Sequence, residues 1–279
     1  MKRLLIALLF FAPLPAAALE HIIDVRSGDE ISVTELAARL RGSDYVLLGE
    51  LHDNPHHHRR RAELIARLAP TGVVVIAEHL DSGRRLIPDS SKNLQLHMEE
   101  AGFDTRAWKW PIHEPLFSGL LGAGLPVTGG NISKDLARRI VREGDSALPH
   151  TLRAIINRAP LNPVAASILD ADLLTSHCGQ LEPARIPPMR LAQRARDASM
   201  AESLLAANIR PAVLVAGNGH VRTDYGVPQL LSVLKPDARI VSIAFVENDS
   251  SASATPHDYV WQTEATNRDD PCTGFDKNR

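Results

Sequence analysis

Five short apolar runs, at 45–48, 73–77, 125–128, 213–216 and 240–245, are each closed by turn residues and separated by longer helix-like segments. A run such as VVVIA, with no polar residue on either face, reads as a strand covered on both sides. Strands alternating with helices predict an α/β fold, a parallel sheet flanked by helices. Residues within about 80–124 and 136–210 hold more helix-like sequence than crossovers need. They are expected to form a helical subdomain inserted over the sheet. Within them, LAQRARDASMAESLLAA places Ala195, Ala198, Ala201, Leu204 and Leu205 at helical spacings. The polar, turn-rich segment after residue 247 is expected to cross the surface as a tail.

The composition, 44% hydrophobic and 23% charged, is that of a globular chain long enough for a full core. The net charge of −2 gives no pointer to nucleic acid or to an anionic membrane surface. The chain starts with Lys2 and Arg3, continues through an apolar stretch and reaches Ala16, Ala17 and Ala18. This is the pattern of a secretory signal peptide over 1–18, with residues 19–279 the mature protein. Pro13 and Pro15 break the stretch, which is too short for a comfortable membrane span. No cysteine lies near the cleavage point, so lipid attachment there is not expected. A periplasmic or secreted location follows, and in it Cys178 and Cys272 could pair or remain two separate thiols.

The strand exits carry the chemistry. YVLLGE ends in Glu50 and leads to His52. Asn54 can then cap a helix with Pro55 in its first turn. The buried stripe of that helix, traced back from Leu68 through Leu64 or Ile65 to Arg61, reaches His57 or His58. VVVIAEHL delivers Glu78 and His79, and VLVAGNGHVR delivers His220. Ligands of α/β sheets sit beyond the carboxyl ends of the strands. Imidazoles and carboxylates converging there make a metal site or an acid–base site possible.

The G-x-x-H pair, GELH at 49–52 and GNGH at 217–220, with Glu78 between, resembles a known superfamily. That superfamily joins ChaN-like haem-binding proteins, the erythromycin-esterase type and the Tiki/TraB proteins. The strings GELHDNPHHH, GLPVTGGNISKDL, HCG followed by MRLAQRARDASMA, and GNGHVRTDYGVP look specifically like the ChaN branch. The resemblance implies haem binding for haem or iron uptake, with a haem receptor or transporter as partner. It further implies two haems face to face in a homodimer. In that type a tyrosine ligates each iron, while a histidine and a lysine of the other subunit hold the propionates. That type is a lipoprotein, a feature this chain does not share.

The candidate iron ligands are His113, which stands in WKWPIHEPLF where the family often has tyrosine, and Tyr225 in the segment after the second G-x-x-H. Tyr45, within a strand, is a poor candidate. The pocket and propionate candidates are His57, His58, Lys109, His177 and Arg194, with Lys134 and Arg106 as further cations. Each also has a plainer reading as a solvated or hydrogen-bonded side chain. Cys178 could be a thiolate ligand, against which a disulfide to Cys272 competes. The competing function is a metal-dependent hydrolase of the Tiki/TraB type. There His52, His220 and a carboxylate, Glu78 or Glu50, would hold a divalent metal and activate water, with the remaining carboxylate as general base.

Overall fold

Strands β2 (Tyr45–Leu48) and β6 (Ala212–Val215) are buried at every position. Successive side chains point to opposite faces of a strand, so both faces of the sheet must be covered. Val46 and Leu48 enter one core with Val213 and Val215, while Tyr45 and Leu47 enter the other with Ala212 and Leu214. The computed structural model describes residues 20–248, 256–270 and 272–273. The expected signal peptide lies outside these residues.

The remaining strands are β1 (His21–Asp24), β3 (Val74–Asp81), β4 (Arg85–Leu86), β5 (Val127–Asn131), β7 (Ile240–Glu247) and β8 (Tyr259–Thr263). They join β2 and β6 in one eight-stranded sheet of order β1-β8-β7-β2-β6-β3-β5-β4. The strands from β8 to β5 run parallel, and β1 and β4 are antiparallel edges. The α/β fold with a mainly parallel sheet is therefore as read from the sequence.

Nine α-helices flank the sheet among the described residues: α1 (Val33–Leu40), α2 (Pro55–Leu68), α3 (Leu94–Glu100), α4 (Glu114–Gly122), α5 (Lys134–Glu143), α6 (His150–Arg158), α7 (Pro163–Ser176), α8 (Ile186–Ala206) and α9 (Val227–Leu234). Side chains of α1, α2 and α4 fill one core; those of α5, α6, α8 and α9 fill the other. The long α8 packs its alanine stripe, Ala195, Ala198 and Ala201, in the second core beside Ile76 and Leu214. Small side chains let the helix lie close to the sheet.

Two local readings are corrected. The strand expected to end at Ala77 runs on to Asp81, with a register shift against β5 between Ala77 and Asp81. Glu78 and His79 thus lie inside an irregular strand end, because their partners come from elsewhere in the fold. The tail is not wholly a surface segment, since Tyr259–Thr263 forms β8 between β7 and β1.

Gly129 faces that irregular strand end. A Cβ there would meet the Asp81 carbonyl oxygen at 2.0 Å. Gly129→Ala is expected to cost about 1–3 kcal/mol by forcing backbone apart. A urea midpoint equal to that of the parent would contradict this packing.

Candidate functional site

Glu50, at the exit of β2, is 2% exposed and forms the centre of a buried polar cluster. Its Oε1 lies 2.5 Å from His52 Nδ1, 3.1 Å from His79 Nε2 and 3.7 Å from His113 Nε2. Its Oε2 contacts the Arg61 guanidinium and lies 3.1 Å from His58 Nδ1. The start of α2 brings two of these groups inward. Asn54 caps the helix, accepting from the backbone N–H of His56 and His57, and Pro55 follows in the first turn. Residues three and four apart then share a face, so His57, His58 and Arg61 are all buried. Arg59 stays exposed on the opposite side.

Not every inward histidine joins the cluster. His57 Nδ1 accepts from the Leu51 backbone N–H at 3.0 Å and stabilises the turn. Burial lowers the pKa of His57 and of His58 to about 4. Burial also lowers His79 and His113, with nearby positive groups adding to the effect. These imidazoles are neutral at pH 7 and available as electron-pair donors.

A second buried group sits beside the first. His220 Nδ1 is 2.6 Å from Asp197 Oδ1, and its Nε2 is 3.3 Å from Glu78 Oε1. Burial opposes charge on His220, but Glu78 and Asp197 together raise its pKa to about 10. Burial would raise Glu78, yet His220 and its hydrogen bond hold it well below the carboxylate range. Glu78 Oε2 also accepts from the Gly217 N–H at 2.8 Å. The G-x-x-H glycines allow the turns to meet: a Cβ on Gly49 would lie 2.1 Å from Asn218 Oδ1, and one on Gly217 would lie 2.9 Å from His52 Nε2.

A cleft of about 780 Å³ opens over both groups. Its walls include Glu50, His52, His113, Trp108, Lys109 and Arg196. Lys109, in a left-handed backbone conformation (φ 50°), is exposed at the cleft. A neighbouring cleft of about 840 Å³ between α5, α7 and α8 shares Ser176, Gln193, Arg196 and Gly219 with the first. Lys134, His177 and Tyr225 line this second cleft.

The sequence candidates are thus distributed unevenly. His113 is 1% exposed and turned onto Glu50. Tyr225 donates its hydroxyl to Asp172 at 2.7 Å, and burial with this bond raises its pKa and keeps the phenol neutral. Arg194 is buried, donating to the carbonyls of Tyr225 and Ala159, and lines neither cleft. Arg106 is exposed and also lines neither. Cys178 is joined to Cys272, which removes it as a thiolate ligand. Of the metal set read from the sequence, Glu78 and His220 face each other and His52 turns its Nδ1 to Glu50, while all three line the first cleft.

Asp197 and Arg196 are not singled out by the sequence, which delivers His79 to the strand exit without assigning it a role. The signal for Asp197 was a lone carboxylate in the alanine-rich stripe of α8, where it is fully buried. The cleft volume lies within the roughly 300–1,000 Å³ of cofactor sites. One indole wall, two cations and a histidine without hydrogen-bond partners on either ring nitrogen fit a flat, anionic, iron-bearing ligand such as haem.

Fold and site together define an α/β protein with a ligand cleft and a histidine–carboxylate cluster at the carboxyl edge of its sheet. The chain belongs to the family described as haem-binding uptake, Tiki superfamily, ChaN, whose model matches residues 36–231. Its fold is similar to that of ChaN of Campylobacter jejuni, described as showing cofacial haem binding. The likeness has 20% identity and a TM-score of 0.72, over 89% of this chain and 98% of the other. A mutant of the erythromycin esterase EreC in its open conformation is similar at 16% identity and a TM-score of 0.42, over 82% and 78%. The type III effector HopBA1 is similar at 15% identity and a TM-score of 0.42, over 84% and 94%. No curated protein matches the chain.

Proposed function

We propose that this is an exported haem-binding protein acting in haem or iron uptake or in haem transfer. The family match over residues 36–231 carries the reading. The cleft at the strand ends supports it. Trp108 would cover part of the macrocycle, and Lys109 and Arg196 would pair with the propionates. His113, its ring nitrogens without hydrogen-bond partners, is the iron-ligand candidate and would have to turn from Glu50 to serve. Bound haem would supply a redox-active iron, which His113 would hold.

Export through residues 1–18 and a periplasmic location belong to the same proposal. The Cys178–Cys272 disulfide supports it, since such bonds persist in oxidising compartments. No helix among the described residues is long and apolar enough to cross a membrane. A homodimer enclosing paired haems, and a receptor or transporter receiving them, complete the reading.

The test is a haemin titration of the mature protein followed by absorbance. The expected result is a saturable Soret shift at one haem per chain. Lys109→Ala is expected to weaken binding about fivefold, the effect of a solvent-screened ion pair worth about 1 kcal/mol. A shift that never saturates sinks the assignment.

A second reading, hydrolysis, is favoured by one observation: His220 is held between Glu78 and Asp197 beside an open cleft. Such a group can hold or move a proton at His220 Nε2. Turnover of an ester or peptide library that His220→Asn abolishes would favour it over haem carriage.

A further inference from the structure

We propose a divalent-metal site formed by Glu50, His52, His79 and His113, opening on the cleft. It rests on neither functional reading, and while the ion is bound it holds His113 on Glu50 and away from a haem iron. It differs from the ligand set legible at the strand ends, because it takes His79 and His113 in place of Glu78 and His220.

One donor atom from each of the four side chains lies within 4.8 Å of every other. Nitrogen and oxygen donors sit about 2.0–2.2 Å from zinc, so donors sharing an ion are roughly 3–4 Å apart. Glu50 Oε1 already stands 3.1 Å from His79 Nε2 and 3.7 Å from His113 Nε2. His52 Nδ1, 2.5 Å from Glu50 Oε1, would have to move away from that oxygen for the two to share an ion. The donors come from the turn after β2, from the end of β3 and from the residue capping α4. These elements are packed in one core, which holds the donors in place.

The site also resolves an anomaly in the fold. His113 is 1% exposed, and neither of its ring nitrogens has a hydrogen-bond partner. A buried imidazole without partners is unfavourable, and a coordinated ion would satisfy it. Trp108 and Phe117 pack around His79, with ring centroids 4.5 and 5.5 Å away, and keep that side dry. The opposite side is open, because the His52 side chain is 46% exposed and lines the cleft with Glu50 and His113. Sites that keep an accessible coordination position are those that bind water or substrate rather than merely brace a fold.

Arg61 works against a tight site. Its guanidinium contacts Glu50 Oε2 and opposes a second positive charge nearby. It leaves Oε1 toward the imidazoles, however, and orients the carboxylate from outside the donor set. Three imidazoles and one partly neutralised carboxylate suit zinc, cobalt or nickel, and are a poor match for magnesium or calcium.

The experiment uses the chelator-stripped mature chain. Cobalt(II) is titrated by visible absorbance and zinc(II) by calorimetry. One ion per chain is expected, with binding weakened at least tenfold in His79→Ala and in His113→Ala and unchanged in His150→Ala, an exposed control. Far-ultraviolet circular dichroism establishes that each variant is folded. Should an alanine variant unfold, His79→Gln and His113→Gln take its place, and a changed cobalt spectrum in both is the expected result. The absence of a saturable one-to-one event overturns the site, as does binding that is unchanged in the folded His79 and His113 variants. Failure of the haemin titration would leave this result standing, and loss of metal binding would leave the haem result standing.

Discussion

Arg61→Met is expected to destabilise the protein by about 3–5 kcal/mol, the cost of stripping one partner from a buried ion pair. Arg61 and Glu50 are 0% and 2% exposed and in direct contact. Arg61 also lies 2.8 Å from His58 Nδ1. Burial lowers its pKa to about 9, so the guanidinium remains charged at neutral pH. Methionine restores the bulk but leaves the carboxylate among neutral imidazoles. At about 2–4 °C per kcal/mol for a chain of this size, the melting temperature should fall by roughly 10 °C. The pair itself is not a large net gain, because two desolvated charges offset most of their attraction. Glu50→Gln combined with Arg61→Met should therefore recover much of the loss. A single variant that melts within a degree of the parent, by calorimetry, would falsify this account of the cluster.

Stability is expected to peak near pH 6.5 and to fall steeply on the acid side. His57 and His58 are fully buried, with pKa values near 4. In the unfolded chain a histidine titrates near 6.5. The unfolded state therefore binds more protons below that pH, and stability is lost as pH falls from about 6.5 toward 4. Each of the two contributes up to about 3 kcal/mol at the acid end of this window. His220 acts in the opposite sense. Its pKa is raised to about 10, so its contribution is complete below pH 6.5 and is lost as pH rises through 10. Thermal melts across this range provide the check. His57→Asn should flatten the acid limb and leave the alkaline limb unchanged. A melting temperature constant from pH 6.5 to 4 would exclude buried neutral histidines as the cause.

Much of this was local information. The strand at 45–48, the cap at Asn54, the proline after it and the inward face through Arg61 were all legible, because each depends on residues within a few positions of one another. The meeting of Glu50 and His52 with the Glu78 and His220 exits also followed, since parallel strands deliver their ends to one edge. Which side chains touch at that edge did not follow. The order β2-β6-β3 sets His220 beside Glu78, and α8, lying across that face, brings Asp197 to its other nitrogen. His113 and Trp108 reach Glu50 and His79 through a turn-rich segment with no periodicity. The strand Tyr259–Thr263 was hidden in a polar stretch because its stability comes from pairing with β7 and β1, not from its own composition. The sequence alone determined the layers, the edge and the residue types that gather there. Only the tertiary structure decided the partners, because buried charges are paired by sheet order and helix packing across separations that no local pattern records.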